Sequence, residues 1–270
     1  MLYDFIDTNE MPLNTYLPAE AICYNGKWID EEIPAFRTLY AAGRESFFSD
    51  ISELALESLD GAVFLRRRLT ARTITVGYMI TAESPEAFRL AYNWLCKLMS
   101  GTQVQIVFAD EPDKYYIGTC KSVGTPESGK LCAKAEMEIY CADPCKYAVE
   151  ETAVSASSNV LTVEYDGTYP ARPKLNALFT GDAKQVIFTN TAIVSAGDAD
   201  AESAVFVSGD YLQIDCNEAK IYLNNVSTPS LGDIANEYED FLLQPGTNVI
   251  TPAYTGTTPV FTVTYREAWL

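Results

Sequence analysis

Apolar and polar positions alternate through most of this chain, and one stretch keeps a helical rhythm instead. Ser84 is a good N-cap and Pro85 suits the first helical position. Ala87, Phe88, Ala91, Trp94, Leu95 and Leu98 then recur at helical spacing, with Gly101 where a glycine closes a helix. The stripe predicts one long amphipathic helix lying on a sheet, with Trp94 in its packed face. Around it, residues 73–80 are rich in β-branched and aromatic residues, residues 104–108 form a short apolar run, and these segments read as strands, as do residues 115–120 and 133–140. In the last of these, Ala133, Ala135, Met137 and Ile139 alternate with Lys134, Glu136 and Glu138, the pattern of a sheet with one wet face. Asn25-Gly26 inside residues 21–28 predicts a hairpin, and residues 124–129 form a turn cluster.

The pattern changes near residue 149. Residues 150–158 are small and polar and read as a linker. Beyond them come short runs at 160–165, 174–179, 185–189, 204–207, 211–215, 220–223, 248–251 and 260–265, without a helical stripe. Short strands at this spacing predict an all-β sandwich. The expected architecture is mainly β: a first domain over 1–148 with one long helix and a hairpin, and a β-sandwich over 149–270.

Composition narrows the chemistry. The 270 residues are 48% hydrophobic and 21% charged, enough to bury a core. Histidine is absent, which removes Ser-His-Asp and Cys-His nucleophile systems, a histidine general base and His-ligated metals. Carboxylate-only chemistry and Cys-only metal sites pass this filter. The formal charge is −18, a field that repels phosphate backbones, so no nucleic-acid recognition is expected. No window approaches the ~20 apolar residues of a membrane span, and the opening Met1-Leu-Tyr-Asp-Phe-Ile-Asp7 lacks the basic start of a secretory signal. The seven cysteines are scattered and predict free thiols rather than a disulfide framework. Cys141 and Cys145 are the one close pair, in a context that suits neither zinc nor a thioredoxin-like motif.

Few constellations remain. Asp110-Glu111-Pro112-Asp113 and Asp198-Ala-Asp200-Ala-Glu202 offer oxygen ligands, but each reads more simply as a solvated turn or loop. With 37 acids, a glycosidase-like carboxylate pair fits almost anywhere and carries little weight. Arg66, Arg67 and Arg68 form a basic run in which strand alternation sends Arg67 opposite to its neighbours, and a charge-pairing contact to another protein suits it best. No phosphate-binding or nucleophile-elbow motif occurs. No catalytic, cofactor-binding or metal residue is predicted. Trp28, Tyr92, Trp94, Tyr238, Phe241 and Trp269 are candidate sugar-stacking or interface aromatics, with the core reading preferred for Trp94.

Several segments form an ordered set: Phe5-Ile-Asp-Thr-Asn-Glu10, Leu17-Pro-Ala-Glu-Ala-Ile22, Arg37-Thr-Leu-Tyr40, Gly43-Arg44-Glu45, Arg72-Thr-Ile-Thr-Val-Gly-Tyr78, the helix, residues 108–116 and residues 138–147. The second half adds Pro170-Ala-Arg-Pro173, residues 209–215 and residues 243–248. Taken in order, these segments resemble the distal tail proteins of long-tailed phages infecting Gram-positive hosts. The resemblance implies a structural, non-enzymatic hub without cofactors: a hexameric ring that joins the tail tube to the tip or baseplate and lets DNA pass through its channel. It implies a β-sandwich-like ring domain and an outward galectin-like or carbohydrate-binding-module-like sandwich. The implied partners are further copies of the chain, the major tail tube protein and a tail-associated tip protein, with a receptor-binding protein or cell-wall carbohydrate as a further possibility. Its place would be the distal end of the virion tail, after synthesis in the host cytoplasm. A carbohydrate-binding adhesin module is the alternative function. Rings need two different complementary patches per protomer, and the candidate interface residues are Gly43, Arg44, Glu45, Phe47, Phe48, Arg66, Arg67, Arg68 and Arg72, within hairpin elements at 43–48 and 60–72.

Overall fold

The computed structural model describes residues 17–56, 60–127, 129–156 and 160–270. The Phe5–Glu10 segment and parts of the 124–129 turn and the 150–158 linker lie outside the described residues. The chain divides after Lys146 into two compact units, with Leu270 belonging to the first.

Unit 1 opens with β1 (Ile22–Tyr24) and β2 (Lys27–Trp28), joined through Asn25 and Gly26, both at positive φ as a tight hairpin turn requires. A single helical turn, α1 (Ile29–Glu32), leads to β3 (Phe36–Ala42). Next come β4 (Ser49–Ala55), β5 (Ala62–Leu69), β6 (Arg72–Thr81), α2 (Pro85–Leu98), β7 (Val104–Phe108), β8 (Glu111–Val123) and β9 (Cys132–Cys141). The main sheet follows the order β2-β1-β7-β8-β9-β6-β3. Strand β8 serves both halves of it: residues up to Gly118 pair with β7, and from Thr119 onward the partner is β9. Strand β6 is almost wholly buried because it pairs on both sides and carries α2 against it.

Helix α2 begins as its sequence predicts, with Ser84 Oγ accepting from the Ala87 N–H at 3.1 Å and Pro85 in the first turn. Replacing Ser84 with alanine is expected to lower the stability of unit 1 by about 1 kcal/mol, read as a lower denaturant midpoint. Ala91, Leu95 and Met99 form the buried strip. The apolar stripe is wider than that strip. Leu90 and Trp94 fall outside it and are exposed, with the Lys97 ammonium 4.5 Å from the Trp94 ring centre. Helical spacing therefore assigns Trp94 to the packed face wrongly. Gly101 does not close the helix in the left-handed region either; Met99 caps it through its N–H to the Leu95 carbonyl.

A short strand, β10 (Lys146–Ala148), lies at the division. Unit 2 contains β11 (Thr152–Ala156), β12 (Leu161–Tyr165), β13 (Lys174–Leu178), β14 (Ala183–Thr189), β15 (Ile193–Gly197), β16 (Tyr211–Asp215), β17 (Lys220–Leu223), β18 (Val226–Ser227), β19 (Gly246–Gly256), β20 (Val260–Tyr265) and β21 (Ala268–Trp269). Two antiparallel sheets, β11-β20-β13-β16-β17-β18 and β12-β19-β14-β15, enclose one apolar core. Alternation accounts for it: Leu161, Val163 and Tyr165 of one sheet point inward, as do Phe261, Val263 and Tyr265 of the other. The 150–158 stretch is not a free linker, because Thr152–Ala156 pairs along β20 as an edge strand. Residues 204–207 are not a strand. Only Phe206 bridges to Ala183, and its ring stacks on Phe179 at 4.3 Å, plugging the core from a loop.

Candidate assembly interface

Strands β4 and β5 form a two-stranded ribbon that is a sheet of its own. Ser49 faces Leu69, Ile51 faces Arg67 and Leu54 faces Val63, while a bulge after Ser52 leaves Leu65 without a partner opposite. Directly opposed residues share a face. One face therefore carries Ile51, Glu53, Phe64 and Arg67, with Phe47 beneath the Arg67 guanidinium at 5.2 Å. The other carries Asp50, Ser52, Leu54, Val63, Arg66 and Arg68. Arg67 thus points away from Arg66 and Arg68.

This arm carries apolar side chains on both faces and is open to solvent. Phe48 is 69% exposed, Ile51 63% and Phe64 62%, and Leu54, Val63 and Leu65 are exposed as well. A lone two-stranded ribbon is marginal in water, and contiguous exposed apolar surface marks a place where another molecule binds. The arm's charged contacts are weak: Arg68 reaches Asp50 at 3.3 Å with both groups in solvent, and Arg67 Nε donates to Ser49 Oγ at 3.0 Å.

At the root of the arm the chemistry changes. Arg44 is 6% exposed and Arg72 3%, so neither lies on a surface that a partner would touch directly. Arg44 donates through Nη1 and Nη2 to the two carboxylate oxygens of Asp110 at 2.8 and 2.7 Å, a bidentate fork. Glu20 lies 3.8 Å from the same guanidinium, which sits 4.5 Å over the Phe108 ring. The Arg72 Nη1 donates to the carbonyls of Arg44 and, at 3.5 Å, Gly43, while its guanidinium lies over Tyr116. Gly43 has φ of +92°, and a Cβ there would collide with the Thr73 carbonyl. Among the described residues, Arg44 Nε and Arg72 Nε and Nη2 are buried without a hydrogen-bond partner.

The Asp110–Asp113 run is more than a solvated turn. Asp110 tips the tight β7–β8 hairpin and holds Arg44, while Glu111 takes Lys146 at 2.7 Å and Lys114 at 3.3 Å. Burial pushes both carboxyls up, and the hydrogen bonds and charges of Arg44 on Asp110, and of Lys146 and Lys114 on Glu111, outweigh it, leaving both below their ordinary values. Carboxylates held low contribute stability that is complete above their unfolded pKa and is lost as pH falls through the folded one. The stability of unit 1 is therefore expected to lose these two contributions progressively as pH falls from the ordinary carboxylate range through the lowered folded values, and the losses should shrink in D110N.

Of the candidate residues, Glu45, Phe47, Phe48, Arg66, Arg67 and Arg68 are exposed on or beside the arm, and Gly43, Arg44 and Arg72 form its root. Sequence reading did not single out Ile51 or Leu54, and it held Val63, Phe64 and Leu65 only as part of the 60–72 element, although Val63-Phe-Leu65 running straight into three arginines was a usable signal. It also missed Asp110 as the partner of Arg44, which nothing local in the sequence announces. Elsewhere, the outer face of the six-stranded sheet carries polar groups that bond one another. Asn176 Oδ1 accepts from Tyr211 at 2.9 Å and Gln213 at 3.2 Å, and its Nδ2 donates to Thr264. Asp198 caps its own turn through the Asp200 N–H. All seven cysteines are free thiols.

Residues 31–141 match the family described as phage tail protein RIFT-related domain, and residues 166–269 match the family described as siphovirus-type tail component, C-terminal domain. The distal tail protein of Bacillus phage SPP1 is 26% identical over 232 residues, covering 82% of this chain and 87% of that protein. The crystal structure of SPP1 Dit, titled a paradigm of the hub adsorption apparatus in phages infecting Gram-positive hosts, shares the fold with a TM-score of 0.78 at 19% identity. It covers 93% of this chain and 99% of its own. Both units thus match tail-component families in the expected order, and the chain belongs to the distal tail protein (Dit) family of siphophages, as a structural component of the phage tail.

Proposed function

We propose that copies of this chain close into a hexameric ring at the distal end of the tail tube, with the β4–β5 arm of each copy docking on its neighbour. The ring joins the tube protein on one side to a tip protein on the other and leaves a channel for DNA. Residues 1–148 act as the ring-forming domain and 149–270 as the outward sandwich. The observation that carries this reading is the arm, a ribbon with Phe48, Ile51 and Phe64 bare to solvent. A heterologous contact needs a donor patch that differs from its acceptor, and the arm has the character of a donor. The acidity of the chain suits a conduit, since a negative wall repels passing DNA rather than trapping it.

Light scattering on the eluting protein and negative-stain images are expected to give closed rings at raised concentration. Persistent monomers in both would overturn the reading. The alternative, a carbohydrate-binding adhesin, places its site on unit 2. There the outer-face groups Asn176, Gln213 and Tyr211 already bond one another, which favours the hub. A glycan array separates the two, because a hub retains no sugar.

A further inference from the structure

The arm's strands pair with no other strand among the described residues. Its direction is therefore set where the chain enters and leaves it, at residues 43–48 and 70–72. Arg72 spans those two passages, since the side chain of the leaving strand holds the carbonyls of Gly43 and Arg44 on the entering one. Arg44 ties the same point to Asp110, on a turn distant in sequence. Each guanidinium plane rests on an aromatic ring, Phe108 or Tyr116, which fixes its tilt as well as its position. Tyr116 Oη also reaches the Arg44 carbonyl at 3.4 Å.

We infer that Arg44, Arg72 and Asp110 form a root clamp that sets the angle at which the arm leaves unit 1, and so are positioning residues for the contact between copies. The inference rests on the assembly reading above and deepens it. Two buried cations that leave three guanidinium nitrogens without partners are a costly way to fill space. Apolar residues of similar volume serve packing as well or better. What the guanidinium forks supply and a methionine does not is direction: donors fixed in a rigid plane, spent here on the carbonyls of residues 43–44 and the carboxylate of Asp110. A pre-aimed arm binds its neighbour more tightly because less freedom is lost on docking.

The test compares the full chain with D110N, R44Q and R44K by sedimentation velocity over a concentration series, well below the melting temperature of each. Val76→Ala in the β6 core serves as the control for lost stability without lost aim. D110N and R44Q are expected to raise the concentration needed for assembly by about tenfold or more. R44K, which keeps the charge and loses the fork, should fall between them and the unaltered chain, and Val76→Ala should assemble as the unaltered chain does despite melting earlier. Asp110 is partly exposed and its asparagine is isosteric, so D110N decides the matter if R44Q does not fold. Assembly of D110N at the unaltered concentration, or equal weakening by Val76→Ala, would overturn the positioning role. An unaltered chain that never assembles would instead overturn the assembly reading.

Discussion

Ile51→Asp combined with Phe64→Asp is expected to leave both units folded and to abolish assembly. The two side chains share one face of the arm and are largely in solvent within a single copy, so folding loses little by their change, within about 0.5 kcal/mol each. In a docked arm they become central apolar anchors. Anchors of this kind contribute about 2–4 kcal/mol each when truncated, and a carboxylate in their place adds the cost of burying an unpaired charge. The loss recurs at every contact around a ring, so the variant should elute as a monomer at concentrations where the unaltered chain assembles, with an unchanged melting curve. Leu54→Asp with Val63→Asp repeats the test on the opposite face. Loss of assembly from both pairs means that the ribbon is covered on both sides, and loss from one pair identifies the docked side.

Phe206→Ala is expected to have the largest effect on folding. Its ring is fully buried and stacks on Phe179 within 7° of parallel, yet it hangs from a loop with a single bridge to Ala183. Removing a buried Phe costs about 3–5 kcal/mol, of which part is the cavity left behind. The cost should lie toward the upper end, because the framework around the hole is sheet. Ala183, which bridges to Phe206, and Gly197, which its ring approaches closely, are held by ladders and cannot collapse inward as a loop would. Denaturant titration of unit 2, followed by near-ultraviolet circular dichroism, would read the loss. A drop below about 1.5 kcal/mol would mean that the loop closes over the gap.

Local chemistry made most of the fold legible. The Asn25-Gly26 turn, the Ser84-Pro85 start of α2 and the alternation in β9, β16 and β20 each follow from a few neighbouring residues, and the structure places them where those residues predict. The misreadings have a common cause. Thr152–Ala156 looks like a linker because its residues are small, and only β20 beside it makes it a strand. Residues 204–207 have strand-like composition, but Phe206 is drawn into the core and the segment bends around it. Trp94 obeys helical spacing, yet the buried strip of α2 is narrower than its apolar stripe. The interface was legible in part. Phe47, Phe48 and the arginine run stand out by type, whereas the burial of Arg44 and Arg72 depends on Asp110, Phe108 and Tyr116 arriving from other strands. Long-range partners of that kind leave no mark in local spacing.

The left-handed backbone at Gly43 has a geometric consequence for any closed circle of copies. An angular error at the base of one arm is repeated at every junction, and the errors accumulate in the same sense. A small twist therefore gives a lock-washer whose last copy misses the first, and such an object continues to grow as a helix where the correct angle would have stopped it. Gly43→Ala, which is strained there by both φ and the Thr73 carbonyl, is the substitution most apt to turn a finite collar into a fibre.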